Sequence, residues 1–306
     1  MKTITILLTA SLVLASCTSS DQATKNNQKN KAMVSNRTKQ YGYNRDFLQK
    51  YTKVIELKDT KSAITLVPAW QGRVMTSTAE GDSGFSFGWI NRDLIASGKI
   101  QPHINAFGGE ERIWLGPEGG QFSIFFSKGK SFVYDDWQTP AFLDTTPYEV
   151  ISSSDTSALF ASDIITENYS GILFKLRLER EVTLLTEKEI IKQTSVDVKG
   201  LNCVAYKSWN KIINKGDKEW KKETGLLSIW MLGMFNPSPS VVIIIPVKSG
   251  DENILGPKVN DNYFGEIPGD RLKVTVDHIF FKAAGKSKGK KGIVPLMAKG
   301  KMGSVD

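Results

Sequence analysis

The chain has 306 residues, 40% hydrophobic, 24% charged and 10% aromatic, with a formal net charge of +8. That apolar and aromatic content excludes an intrinsically disordered chain, and 26 glycines with two cysteines exclude collagen-like and disulfide-stapled architectures. The positive excess lies in residues 21–50 (seven Lys/Arg against two Asp) and 285–301 (six Lys, no acid), so no basic face with interleaved aromatics, and no nucleic-acid partner, is expected.

Residues 1–16 have the form of a signal peptide. Lys2 precedes an apolar run over 4–15, which is 12 residues long and short of the ~20 needed to span a bilayer. The run ends Leu14-Ala15-Ser16-Cys17, which resembles a bacterial lipobox, where the cysteine thiol is acylated and becomes the new N-terminus. An ordinary signal peptide with a chance cysteine is the alternative. The expectation is lipidation at Cys17 and anchoring in a bacterial cell envelope. Thr18 in place of Asp favours the outer membrane by resemblance to Gram-negative sorting rules. Residues 17–40 are polar and read as a flexible tether to a domain over 41–306.

Within that domain the one short helical pattern is 46–54. Strands are expected over 54–58, 63–67, 122–126, 157–161, 172–181, 190–198, 201–207, 225–232, 241–246, 272–276 and 279–282. The cleanest is 172–181, where Phe174, Leu176 and Leu178 share one face and Lys175, Arg177, Glu179 and Glu181 the other. Turn signals separate the strands at Lys199-Gly200, Gly216-Asp217, Ser249-Gly250-Asp251 and Pro268-Gly269-Asp270. Many short strands with such turns argue for an all-β, large antiparallel sandwich. Cys203 lies in an apolar run and reads as a small buried hydrophobe, and Lys286 to Lys291 read as a solvated loop.

Residues 105–126, NAFGGEERIWLGPEGGQFSIFF, differ from the rest. Paired glycines (Gly108-Gly109 and Gly119-Gly120) permit sharp turns around Glu110, Glu111 and Glu118, and Pro117 restricts the chain before Glu118. Arg112 is placed to pair with one carboxylate while another stays free to exchange protons, and Trp114 offers a flat face of the kind on which sugar rings stack. His103 stands two residues before the motif, close enough in sequence to join the same site. Glu118, Glu110 and His103 are therefore the candidate catalytic groups, and Arg112, Trp114, Asn105 and Glu111 the candidate substrate-binding groups. A structural loop with a satisfied Arg–Glu pair is the alternative. No zinc-spaced His/Cys cluster, nucleophile elbow or phosphate loop is present, so neither metal nor cofactor is expected; calcium on the three glutamates is the one open variant.

This string, with GLLSIWMLGMF over 225–235, resembles an uncharacterised family of secreted bacterial lipoproteins similar in fold to galactose mutarotase (aldose 1-epimerase). The resemblance implies a β-supersandwich with a carbohydrate-sized cleft. It also implies further strands beyond Asp306, so the chain is expected to be short at its C-terminus. Epimerases of that fold use a Glu late in the chain as base and a His as acid; only His103 and His278 are available here. The expected function is an envelope-anchored lipoprotein that binds carbohydrate without established chemistry. The alternatives are a sugar-modifying enzyme, epimerase or glycoside hydrolase, using the acidic residues of the glycine loop, and a non-catalytic scaffold subunit of an envelope complex.

Overall fold

The computed structural model describes residues 37–260, 267–282 and the backbone of 297–298. The signal peptide, Cys17, most of the tether and the 286–291 lysine stretch lie outside the described residues. Lys39 and Gln40, expected in the tether, already join the fold: Gln40 bridges Phe85 and the Ser86 N–H donates to the Lys39 carbonyl. The chain forms two compact units, one ending at Met234 and one beginning at Phe235.

The first unit is predominantly β. Strands β1 (Ile55–Asp59), β2 (Ser62–Val67) and β3 (Arg73–Thr78) form an antiparallel meander. A bridge between Val74 and Glu111 joins β3 to the start of β4 (Arg112–Gly116), and β4 pairs with β9 (Ser228–Leu232). A second antiparallel sheet runs β5 (Glu149–Ser153), β6 (Ser157–Glu167), β7 (Leu173–Leu184), β8 (Tyr206–Asn214). Their inner faces meet in one core: Leu57, Ile64, Leu66, Val74, Ile113 and Leu115 from the first sheet against Phe160, Phe174, Leu176, Leu178 and Val182 from the second. This is a sandwich, as the short alternating strands imply.

The alternation read over 172–181 holds and continues to Leu184, but it carries Arg180 as well as the apolar residues onto the buried face. Strand β3 is buried throughout because both its faces are covered: Val74 enters the main core, while Met75 packs in a second cluster with Leu48, Val67 and Phe107. Leu48 comes from the helix Tyr41–Tyr51, which starts earlier and runs longer than the expected 46–54.

Two expected strands are corrected. Residues 190–198 are not extended: Glu187–Thr194 is a helix, started by a capping box between Thr186 and Glu189 and stopped by left-handed Ser195. The local start signal outweighs the β-branched pair Ile190-Ile191. Residues 122–126 are irregular, with Ile124, Phe125 and Phe126 all buried in succession, which a two-residue period does not allow. The 201–207 strand begins only at Tyr206, and Cys203 is half-buried against Leu185, Ile190 and Val198.

The second unit holds β10 (Val242–Pro246), β12 (Leu272–Val274) and β13 (His278–Lys282) in the order β10-β13-β12, with Val247, Ile267, Ile279 and Phe281 buried. Strands β11 (Val259–Asn260) and β14 (Met297–Ala298) form a separate pair.

Gly72 shows how tightly the two sheets meet. Its φ is +61°, and a Cβ there would lie 2.5 Å from the Phe160 ring of the facing sheet. Gly81 has a similar φ of +71° with no atom within 4 Å of such a Cβ. Gly81→Ala is expected to cost about 1 kcal/mol, and Gly72→Ala about 1–3 kcal/mol more, the difference being the steric part. Urea unfolding of both variants measures it.

Candidate functional site

The first glycine pair behaves as the motif suggests. Gly108 and Gly109 have φ of +95° and +112°; side chains there would meet the Trp89 carbonyl oxygen at 2.1 Å and Arg73 Cδ at 2.7 Å. The chain therefore passes between these groups and enters β4 with consecutive carboxylates at Glu110 and Glu111. The second pair, Gly119-Gly120, forms an exposed turn in open space.

Glu110 is 3% exposed. Its Oε1 accepts the Ser77 backbone N–H at 2.5 Å, and its Oε2 accepts the Ser77 hydroxyl at 2.8 Å and the Tyr206 hydroxyl at 3.4 Å. Burial outweighs these donors and pushes its carboxyl up to about 7. Glu111 forms a two-pronged ion pair with Arg180 at 2.7 and 3.0 Å and accepts the Ser208 hydroxyl at 3.0 Å. Arg180, itself 0% exposed, also donates to the Gly72 carbonyl at 3.2 Å and to Asn210 Oδ1 at 2.8 Å. Tyr206, Ser208 and Asn210 alternate along the half-buried face of β8. Thus Glu110 and Glu111 meet Arg180, Ser77, Tyr206, Ser208 and Asn210 in one polar seam. Sequence reasoning missed these partners; the signal was the two-residue period extended to Arg180 and carried on through 206–210.

The other motif residues go elsewhere. Arg112 donates to the Leu143 carbonyl, lies 3.6 Å from Asp144 and stacks over Trp114 at 4.5 Å. The Asn105 backbone N–H and side-chain amide both donate to Asp144 Oδ2 at 2.8 Å, and its Oδ1 accepts the Gln101 N–H at 2.7 Å. Trp114 is 1% exposed, held between Arg112 and the Phe125 ring at 5.4 Å. It presents no open face, because β4 is buried on both faces and the one opposite Ile113 and Leu115 is covered as well; this corrects its expected role as a stacking platform. Its indole N–H donates to Glu118. Glu110 and Glu118 lie beyond opposite ends of β4, whose five residues span ~14 Å, and each has its own partners. The geometry does not bring them together as a catalytic pair. Nor do the three glutamates converge: among the described residues no group of three or more His, Cys, Asp or Glu is placed to hold a metal.

His103 stands apart from both carboxylates. Its Nδ1 is 2.6 Å from the Trp137 carbonyl and 2.8 Å from Gln138 Nε2, and its ring packs 4.6 Å from that of the exposed Tyr134. The carbonyl can only accept and the amide nitrogen can only donate, so Nδ1 meets one of these partners as a donor or the other as an acceptor, according to its tautomer. Thr139 donates its backbone N–H to the His103 carbonyl at 2.9 Å. Gln138 and Thr139 lead from His103 into a cleft of about 610 Å³ lined by Phe125, Phe126, Phe142, Thr166, Gln138 and Thr139. The buried Thr139 hydroxyl has no hydrogen-bond partner among the described residues. The end of the glycine-rich motif, Ile124 to Phe126, thus forms part of the cleft wall. In the second unit, His278 pairs with Asp277 at 2.9 Å.

Fold and geometry together define a predominantly antiparallel β protein with a buried ionic seam and a side cleft of small-molecule size. The chain belongs to DUF6786, a family of unknown function, whose model matches residues 39–306. No curated protein and no solved structure matches it.

The seam makes stability depend on pH. The Glu110 carboxyl titrates at about 7 in the fold against an ordinary 4.5, so folding favours its protonated form. That contribution is full below pH 4.5, declines as pH rises through 7, and amounts to on the order of 3 kcal/mol. Wild-type stability should fall between pH 5 and 8, and Glu110→Gln should flatten this slope, as read from thermal melts across that range.

Proposed function

We propose that this chain is an envelope-anchored lipoprotein whose sandwich, a mutarotase-like one, binds carbohydrate in the cleft beside His103. The observation that carries this reading is the cleft itself. At about 610 Å³ it falls within the usual range for small-molecule sites, and it combines an aromatic wall with convergent polar groups. Thr139 supports it: this residue lines the cleft, its hydroxyl is buried without a partner among the described residues, and a rotation about its side-chain bond exchanges that unfavourable position for a ligand's hydroxyl. Anchoring rests on the lipobox-like sequence ending at Cys17, with the outer membrane as destination.

The second reading is a sugar-modifying enzyme, favoured by the burial of Glu110, which pushes its carboxyl up to about 7, into the range of proton-transfer groups. Its carboxyl is sealed by Ser77 and Tyr206 and does not line the cleft. Binding without turnover is therefore the reading preferred here.

Tryptophan fluorescence and thermal shift against monosaccharides and envelope glycans test it. A responding sugar should bind about five- to tenfold more weakly to Thr139→Val, the loss of one hydrogen bond, while the variant melts no lower than wild type. Polarimetry should show mutarotation at the spontaneous rate. No response to any sugar would refute the binding reading, and accelerated mutarotation lost in Glu110→Gln would establish the enzymatic one.

A further inference from the structure

A different cluster lies where β3 meets β4. The Val74–Glu111 bridge is held by two backbone hydrogen bonds of 3.0 and 3.3 Å. In an antiparallel ladder the next residues outward, Arg73 and Arg112, then stand directly opposite each other, at the spacing where side chains approach most closely. Both are buried, Arg73 at 0% and Arg112 at 2% exposure. Like charges so placed repel, and burial compounds the cost. Both guanidiniums are accordingly pushed downward, Arg112 to about 10 and Arg73 well below its ordinary range, by burial first; for Arg73 the charge of Arg112 is the next cause.

The carboxylates do not balance these charges. Arg180 is matched by Glu111, and Arg112 by Asp144 at 3.6 Å. Arg73 makes no direct ion pair among the described residues: its hydrogen bonds go to the Gly108 carbonyl at 3.0 Å and Gln71 Oε1 at 3.3 Å, and the one carboxylate that acts on it through space, Asp144, is shared with Arg112. Among the described residues, Arg73, Arg112 and Arg180 thus share two paired carboxylates, Glu111 and Asp144, and one buried positive charge is left in excess.

Donors are also in surplus. Arg73 Nε, Arg112 Nε and Nη1, and the Tyr148 hydroxyl are buried without a hydrogen-bond partner among the described residues. Tyr148 lies within electrostatic reach of Arg112 and Arg180. Asp144 Oδ1 accepts no hydrogen bond either, but it belongs to the Arg112 ion pair. The rings of Phe107 and Trp114 cover the guanidinium faces at 6.0 and 4.5 Å.

We propose that Arg73, Arg112 and the Tyr148 hydroxyl bind one small monovalent anion of chloride size, which neutralises the unmatched charge and joins β3 to β4. The donor-rich chemistry excludes a cation, and the close packing excludes a sugar acid or a phosphate ester. The site is separate from the cleft, and its ligand is structural.

The test uses the full chain. Melting is compared in sodium chloride and in sodium gluconate at equal ionic strength, gluconate being too large for the site. Chloride at a hundred times its Kd should raise the midpoint by about 5–10 °C, and Arg73→Leu should abolish the difference. In parallel, crystals soaked in sodium bromide should give an anomalous peak in contact with Arg73 and Arg112. Equal melting in both salts, a chloride effect that survives Arg73→Leu, or bromide found only elsewhere would overturn the proposal. If Arg73→Leu does not fold, the bromide position decides.

Discussion

The structure depends on how it buries the Arg180 guanidinium. A side chain on β7 crosses between the two sheets, reaches the Gly72 carbonyl just before β3, and grips Glu111 at the entrance to β4. Asn210 on β8 takes another of its donors. A buried cation is tolerated only when matched in charge and satisfied in hydrogen bonds. Meeting both demands fixes the register of β7 against β3 and β4 more narrowly than apolar packing alone. Gly72 is part of the same constraint: no side chain fits between it and Phe160.

Much of the sandwich was legible in the sequence because it follows a two-residue period. Strands β1, β2 and β7 of the sandwich, and β10 and β13 of the second unit, fall close to where alternation puts them. Strand β3 was not legible, because Arg73, Thr76, Ser77 and Thr78 are polar yet buried; their burial comes from partners distant in sequence, and a local pattern carries no trace of it. The helix Glu187–Thr194 was missed for the opposite reason, since a capping signal was present and two adjacent isoleucines were read over it.

The glycine-rich motif was recognisable as special, and its residues do cluster, but not as one catalytic loop. Strand alternation divides it. Glu111 faces Arg180 across the sandwich; Arg112 and Trp114 turn to the other face, against Leu143 and Asp144; and Glu118 folds back onto the Trp114 indole. Charge, glycine and aromatic character coincide in the sequence because a tightly packed polar seam needs all three. The cleft is formed by the tail of the motif, Ile124 to Phe126, with Gln138 to Phe142 of the less conspicuous stretch that follows, and β6 is its opposite wall. The carboxylate seam thus organises the fold, and the neighbouring loop leaves room for a ligand.

The central claim, that the Arg180–Glu111 pair couples the two sheets, is tested most directly by a double-mutant cycle with Arg180→Met and Glu111→Leu. Each single variant should lose about 3–5 kcal/mol by urea unfolding, because each leaves a charge without its partner. The double variant should then lose at least about 2 kcal/mol less than the sum of the two. Losses that add to within about 0.5 kcal/mol would show the two residues acting independently and contradict the account.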